Sequence, residues 1–387
     1  MVWLELLFWI SLVAMLSAYL IYPLLVIYWP RRARPSQHKL TQWPTLEVIF
    51  AAHNEEKVLA EKLDSLLTSH YPGPLSIRVG SDYSTDDTNE ILKTYAQKEP
   101  QRVVAHIFEE RQGKAGVINK LVNASQAELI CLTDANIIFR PNSLKQLCES
   151  LLNSQAAACG GQIVYQQKLK KGIAQQEDTY LNIENRLKSA ESALWKAPMG
   201  LEGGCYLIWR KDFPVIPPLY FMEDFFVTMS LLSQGKRVIF EPRALVNEDV
   251  STSPQEEYKR KVRISIGNFQ NLRRFAPLIA LRFWPVGFAF LFHKVLRWLT
   301  PFFLILALIC ALWLKVGFGT YNWAAYLVGL AFLIGLTGLV GLKSTLPGWL
   351  KFPGHFLYMN LALLEGFFKY LKGVESNVWK PTERKQH

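Results

Sequence analysis

"ELICLTDANIIF", residues 128–139, climbs through an apolar run and stops on Asp134, Ala135 and Asn136. Leu129 to Leu132 read as a short buried strand, and the three residues after it are small or polar. In open α/β sheets the carboxyl end of a strand faces the ligand crevice. A capped turn uses the same residue types, so the triplet takes its meaning from the chain around it.

Working outward, strands and helices alternate between Pro44 and about Ser253. "LEVIFAA" (46–52), "SIRVGSD" (76–82) and "RVVAHIF" (102–108) read as strands. Between them, "EEKVLAEKLDSLLTSH", "STDDTNEILKTYAQK" and "KAGVINKLVNAS" carry apolar residues at helical spacing or open with helix-starting residues. This order predicts an α/β domain whose sheet is mostly parallel, with helices on both faces. Three polar clusters then stand at strand ends: "HNEE" (53–56), "SDYSTDD" (81–87) and "TDAN" (133–136). Two of them precede helices, whose amino termini favour phosphate. Asp86 and Asp87 read equally well as helix caps, whereas Asp82 precedes the cap position and is the better ligand candidate. Further on, "LEGGCYLIWR" (201–210) puts Gly203 and Gly204 where a backbone must approach something closely. "YFMEDFFVTMSLLSQG" (220–235) sets Glu223 and Asp224 at a helix start, where a carboxylate gains about 0.3–1 kcal/mol from the helix dipole alone. In "YKRKVRISIGNFQNLRR" (258–274), Arg260 and Arg263 share a helical face. That pair fits either a lipid patch or a clamp for a diphosphate.

Half of the 387 residues are hydrophobic and 19% are charged, and the apolar excess sits at the two ends. Val2 to Trp29 contains one charge, Glu5, and is longer than the roughly 20 residues a bilayer core requires. No basic segment precedes it, which argues against a cleaved signal peptide. Tyr22, Tyr28 and Trp29 form an aromatic belt, and Arg31, Arg32 and Arg34 follow on what should be the cytoplasmic side. Leu299–Leu314 and Tyr321–Leu342 read as two more spans, joined by a short link from Lys315 to Thr320 and followed by Lys343 and Lys351. Phe356 to Leu371, interrupted by Glu365 and Lys369, reads as a helix lying on the membrane or as a third carboxyl-terminal span. A basic tail with Lys380, Arg384 and Lys385 ends the chain. The expected organisation is therefore an amino-terminal span over 1–30 and a basic linker over 31–44. A catalytic domain follows over 45–253, interfacial helices over 254–298, two spans over 299–342, and an interfacial helix or span with the tail over 343–387. The net charge of +11 belongs to basic residues beside these runs, which points to anionic headgroups rather than nucleic acid. The five cysteines (131, 148, 159, 205 and 310) form no CxxC. Neither a zinc site nor a disulfide framework is indicated, which suits a reducing cytoplasm.

In order along the chain, Asn54-Glu55, "SDYSTDDT", "GKAGVIN" (113–119), "TDAN", Glu223-Asp224 and "RKVRI" resemble the motifs of membrane-bound glycosyltransferases of family 2, the cellulose synthase-like superfamily. The resemblance runs from about residue 45 to 270 and implies a GT-A fold flanked by transmembrane helices. It implies an inverting transferase, its catalytic domain on the cytoplasmic face of the inner membrane, moving a sugar from a nucleotide sugar to a lipid or lipid-linked glycan. A UDP-sugar is the expected donor. Carried over position by position, Asp82 contacts the nucleobase, with Glu55 near base or ribose. Lys114 lines the donor pocket, Gly203, Gly204 and Glu223 belong to the substrate site, and Asp224 is the general base. Arg263, with Arg260 on the same face, binds the leaving diphosphate. Asp134, with Asn136, holds Mg²⁺ or Mn²⁺, a hard cation that takes oxygen ligands. Asn136 stands where the family's second aspartate would, so its contact with metal is weaker or runs through water. Ile264 stands where polymer-making members place an acceptor-stacking tryptophan, which speaks for short products. The alternatives are a processive polysaccharide synthase and a catalytically silent nucleotide-sugar-binding scaffold, the latter disfavoured by the presence of Asp224.

Overall fold

The computed structural model describes residues 2–30, 40–165, 173–248, 254–317, 322–340 and 348–375. The chain divides into two compact units, one built mainly from residues 30–168 and 181–251, the other from 1–29, 169–180 and 252–373.

The first unit is built on an eight-stranded mixed sheet. In chain order its strands are β1 (Leu46–Ala52), β2 (Leu75–Asp82), β3 (Val103–Phe108), β4 (Leu129–Leu132), β5 (Ile138–Phe139), β6 (Ala158–Tyr165), β7 (Tyr206–Trp209) and β8 (Val238–Glu248). They lie in the order β3-β2-β1-β4-β7-β6-β8-β5. β1 is buried along its whole length, which explains its near-continuous apolar sequence, as expected of a central strand covered on both faces. β1, β2, β3 and β4 run parallel, with Ala52 opposite Ser81 and Asp82 opposite Phe108. β7 enters antiparallel between β4 and β6, pairing Leu132 with Tyr206 and Gly160 with Tyr206. The sheet is therefore less parallel than the alternating order suggests. Because β7 runs the other way, Gly203 and Gly204 at its start reach the same sheet edge as the carboxyl ends of β1, β2 and β4.

Helices cover both faces. Leu59, Leu63 and Leu66 of the helix Glu56–Leu67, Leu92 of Thr88–Lys98, and Leu144, Leu147 and Leu151 of Ser143–Asn153 share one core with Leu46, Val48, Phe50, Val79 and Cys131. On the opposite face a Cβ at Gly80 would meet Phe108 and Leu121, 3.1 and 3.2 Å away. This is where the helix Gly113–Ala124 lies down on β2.

The second unit is helical. Val2–Tyr28 is the one described helix that by itself is long and apolar enough to cross a bilayer. Its α-helical turns are interrupted by a π turn at Ser17–Ile21, and Arg297 Nε donates to the Ala18 carbonyl inside that turn at 3.2 Å. Phe8 packs against Ala307, Cys310, Ala311 and Leu314. The expected span at 299–314 is helical over Thr300–Gly317. Val286–Trp298 and Thr300–Leu314 pass the same test only as a pair, and they meet at a 63° bend. The sequence hides this pairing because His293 and Arg297 read as interfacial, whereas both are buried here. The second expected span is helical over Asn322–Val340, with a shorter apolar stretch at Val328–Thr337. Its outer residues, 321 and 341–342, lie outside the described residues, as do the arginines of the expected linker and the basic tail. The last helix, Gly348–Lys372, is one piece of 25 residues. It lies close along Pro254–Phe275: Ser265 Oγ donates to the Leu363 carbonyl at 2.7 Å, and a Cβ at Gly366 would stand 2.6 Å from the Val262 carbonyl oxygen.

Candidate active site

The loops after β1 and β2 are fastened to each other. Asn54 adopts a left-handed backbone (φ 54), which asparagine tolerates better than most residues. Its Oδ1 accepts the Thr85 N–H at 2.8 Å, and its own N–H donates to Ser84 Oγ at 3.2 Å. Asp86 accepts from the Thr88 N–H at 3.1 Å and the Glu56 N–H at 3.2 Å. It therefore serves the amino ends of two helices, and the capping reading describes it. Asp87 occupies the cap position of Thr88–Lys98 without a side-chain capping bond. Glu55, half-buried at the same mouth, donates its N–H to Thr88 Oγ1 at 2.9 Å.

Asp82 is fully buried. Its Oδ1 accepts the Gln112 N–H at 2.6 Å, and its Oδ2 accepts the Gly113 N–H and Arg111 Nε, each at 3.1 Å. The carboxylate thus anchors the turn before Lys114, a turn that needs glycine because Gly113 has φ 71. Arg111 Nη1 also approaches His53 Nε2 at 2.6 Å, while His53 Nδ1 lies 2.9 Å from the Asp82 carbonyl. A guanidinium only donates, so Nε2 accepts and Nδ1 carries the proton. Burial, and then the Arg111 charge, hold this histidine below its ordinary pKa. In the sequence His53 stands out only as a member of "HNEE", and nothing there marks Arg111. Nothing in the sequence pairs residues 58 positions apart.

At the centre stands Lys114, the second residue of the helix Gly113–Ala124. Its Nζ donates to Asp134 Oδ1 at 2.6 Å and also pairs with Glu223 Oε1. Burial opposes its charge, but Asp134 and Glu223 together lift its pKa above that of an ordinary lysine. Asp224 follows Glu223 at the start of the helix Glu223–Ser233. The Gly203 N–H donates to Asp224 Oδ2, and the Phe225 N–H to Oδ1, each at 2.7 Å. A Cβ at Gly203 would stand 3.3 Å from that Oδ2, and one at Gly204 only 2.7 Å from Ile163. The two glycines are therefore explained by close approach. Burial first, and then the neighbouring Glu223, push the Asp224 carboxyl up to about 7, against the opposing pull of Lys114 and the two N–H donors.

The structure thus brings Lys114, Asp134, Gly203, Glu223 and Asp224 together, with Gly204 beneath them. Asn136 turns its amide nitrogen to Glu248 Oε1 at 3.3 Å, which leaves its Oδ1 directed elsewhere. Among the described residues no three His, Cys, Asp or Glu side chains form a self-sufficient metal cage. One carboxylate with an amide oxygen does fit Mg²⁺ or Mn²⁺ that takes its remaining oxygens from a diphosphate and water. Arg260 and Arg263 belong to Pro254–Phe275 in the other unit, where Arg260 Nε pairs with Glu257 Oε2 at 3.0 Å.

Residues 47–213 match the family model described as Glycosyl transferase family 2. Among curated proteins, the chain is 26% identical over 264 residues to the uncharacterized glycosyltransferase YaiP of Escherichia coli K12, covering 65% of this chain and 63% of that protein. It is 32% identical over 95 residues to a beta-monoglucosyldiacylglycerol synthase of Nostoc sp. PCC 7120, covering 24% of this chain and 20% of that protein. The chain spans about three-fifths of the length of the first curated relatives it matches, 63% and 57%. Among solved structures it is similar in fold to the mannosyltransferase PcManGT of Pyrobaculum calidifontis in complex with GDP-Man and Mn²⁺. There the TM-score is 0.68 at 20% identity, over 95% of this chain and 99% of that one. Residues 47–213 are thus similar to glycosyltransferase family 2 domains, and the α/β fold is of the GT-A type.

Proposed function

We propose that this glycosyltransferase domain transfers a hexose from a nucleotide sugar to a hydroxyl of a membrane lipid or lipid-linked glycan, with inversion at the anomeric carbon. One observation carries the reading: a carboxylate held by the Gly203 N–H stands in the same cluster as a lysine that bridges Asp134 and Glu223. In this reading Asp224 accepts the acceptor hydroxyl's proton as that oxygen attacks the anomeric carbon and the bond to the nucleoside diphosphate breaks. A base whose pKa lies near 7 suits that task. Lys114 and Glu223 keep the pocket's charge balanced around it. Asp82, Arg111 and His53 form the rigid floor for the nucleobase, beside Glu55. Asp134 and Asn136 would hold Mg²⁺ or Mn²⁺, which, when bound, offsets charge on the departing diphosphate. By the family resemblance, Arg260 and Arg263 are proposed to bind a diphosphate.

The likeness in fold to a mannosyltransferase solved with GDP-Man and Mn²⁺ supports a nucleotide-sugar donor and a divalent ion. The stretch shared with a beta-monoglucosyldiacylglycerol synthase supports a lipid acceptor. The apolar helix Val2–Tyr28 supports residence at a membrane, with the catalytic domain on its cytoplasmic face. Membranes containing the protein, incubated with labelled GDP- and UDP-sugars, are expected to yield labelled lipid. Label that stays entirely in water-soluble sugar, in the presence of Mn²⁺ and native lipids, would reject the acceptor class.

A further inference from the structure

Lys62 lies on the buried stripe of the helix Glu56–Leu67, in line with Leu59, Leu63 and Leu66, and has 0% exposure. Burying an amine without a counter-charge is costly. Packing does not call for nitrogen here, since the neighbouring stripe positions are hydrocarbon. Nζ donates to the Ile137 carbonyl at 2.6 Å and to Thr133 Oγ1 at 2.9 Å. It lies over the Phe139 ring at 4.4 Å and the Phe50 ring at 5.4 Å. Thr133 Oγ1 in turn donates to the Gly204 carbonyl at 2.6 Å. A hydroxyl has one proton to give, so the amine must be the donor in the Lys62–Thr133 contact. Burial lowers the amine to about 7, with Cys131, Cys205 and Asp134 acting in the opposite direction. Even a neutral amine keeps two N–H groups for its two acceptors.

The acceptors are not scattered. Thr133 and Ile137 bracket the Asp134–Asn136 turn, and Gly204 follows the glycine whose N–H holds Asp224. We propose that Lys62 is a positioning residue for sugar transfer, fixing through Thr133 the spacing between the Asp134–Asn136 turn and the Gly203–Gly204 segment. The donor-side carboxylate is thereby set against the base from below. The inference rests on the roles given to Asp134 and Asp224 above. Misplacing reacting groups by about 1 Å can cost roughly 100-fold in rate, so a brace of this kind acts on turnover more than on binding.

The test uses the full chain in detergent, as wild type, Lys62→Met and Thr133→Val. Methionine fills similar space without a donor. Valine cuts the relay to Gly204 and leaves the amine on Ile137, so it decides the matter if Lys62→Met does not fold. Amide hydrogen exchange is expected to quicken at least tenfold in peptides covering 129–139 and 200–206, and to stay unchanged over Thr88–Lys98. Release of nucleoside diphosphate from GDP-mannose or UDP-glucose, with Mn²⁺ and native membrane lipids as acceptor, is expected to fall at least tenfold in kcat, with donor KM within threefold. Unchanged exchange in those two peptides, or kcat within twofold of wild type, overturns the proposal. So does a kcat loss that merely follows a loss of protection across the whole chain. A wild type that cleaves no nucleotide sugar would reject the functional reading instead, and faster exchange in the two peptides would still establish the brace.

Discussion

At the scale of single residues, the proposed chemistry turns on the proton of Asp224. Its carboxyl titrates near 7, so the ionised base accumulates as pH rises. The turnover number should climb with pH through neutrality and level off above it. Glu223→Gln removes a charge that raises this value and should move the limb to lower pH. Lys114→Met removes a charge that lowers it and should move the limb higher, with turnover reduced; pH–rate profiles of kcat check both signs. The same shift bears on folding. The folded protein holds this proton where a free aspartate at 3.8 has lost it, so this contribution to stability is complete below 3.8 and lost as pH rises through about 7. Asp224→Asn should cut transfer by at least about 100-fold, as loss of a general base does, with donor affinity by calorimetry nearly unchanged. For the metal, excess chelator should abolish activity and Mn²⁺ restore it. Asn136→Asp, which adds a carboxylate oxygen beside Glu248, should lower the Mn²⁺ concentration needed for half-maximal rate.

At the scale of elements, the site depends on loops that meet only because parallel strands end together. Asn54 joins the β1 loop to the β2 loop through a left-handed backbone, the bonds its Oδ1 accepts from Thr85 and the bond its N–H donates to Ser84. Asn54→Ala should cost about 2 kcal/mol, combining a lost hydrogen bond with an unfavourable backbone conformation. Asn54→Gly should cost less, since it restores the backbone and loses only the bond; denaturant midpoints separate the two. Much of this architecture is legible in the sequence. The periodicities locate β1 to β4 and their helices within a residue or two in most places, because each is a local pattern. Motif order brings out Lys114, Asp134 and Asp224, since each ends a strand or starts a helix. What stays hidden is pairing across distance. No local pattern marks Lys62, which falls on the buried stripe of its helix. His53 and Arg111 lie in different loops, and Asn136 finds Glu248 only after β8 has folded beside β6. The antiparallel β7 has no local mark either, because direction in a sheet is a property of the connection.

At the scale of the whole molecule, the expected arrangement places the catalytic domain and the carboxyl tail on the cytoplasmic side. A reporter fused after His387 should be active there, and activity only in an exported compartment would require another crossing. Products should be short, one or a few sugars, because Ile264 offers no aromatic face to hold a growing chain between additions. Gel filtration of labelled product from the purified protein measures this directly. The amino-terminal helix carries a constraint of another kind. Its π turn at Ser17–Ile21 inserts an extra residue into the winding, and one α-helical residue corresponds to about 100° of rotation. Deleting any one residue there would restore regular winding and swing Val2–Leu16 out of phase with Tyr22–Tyr28. Phe8 would be carried away from Ala307 and Cys310, and Arg297 would lose the Ala18 carbonyl as its acceptor. This helix should therefore tolerate exchange of one apolar residue for another far better than any change in their number, so that its information resides in a count.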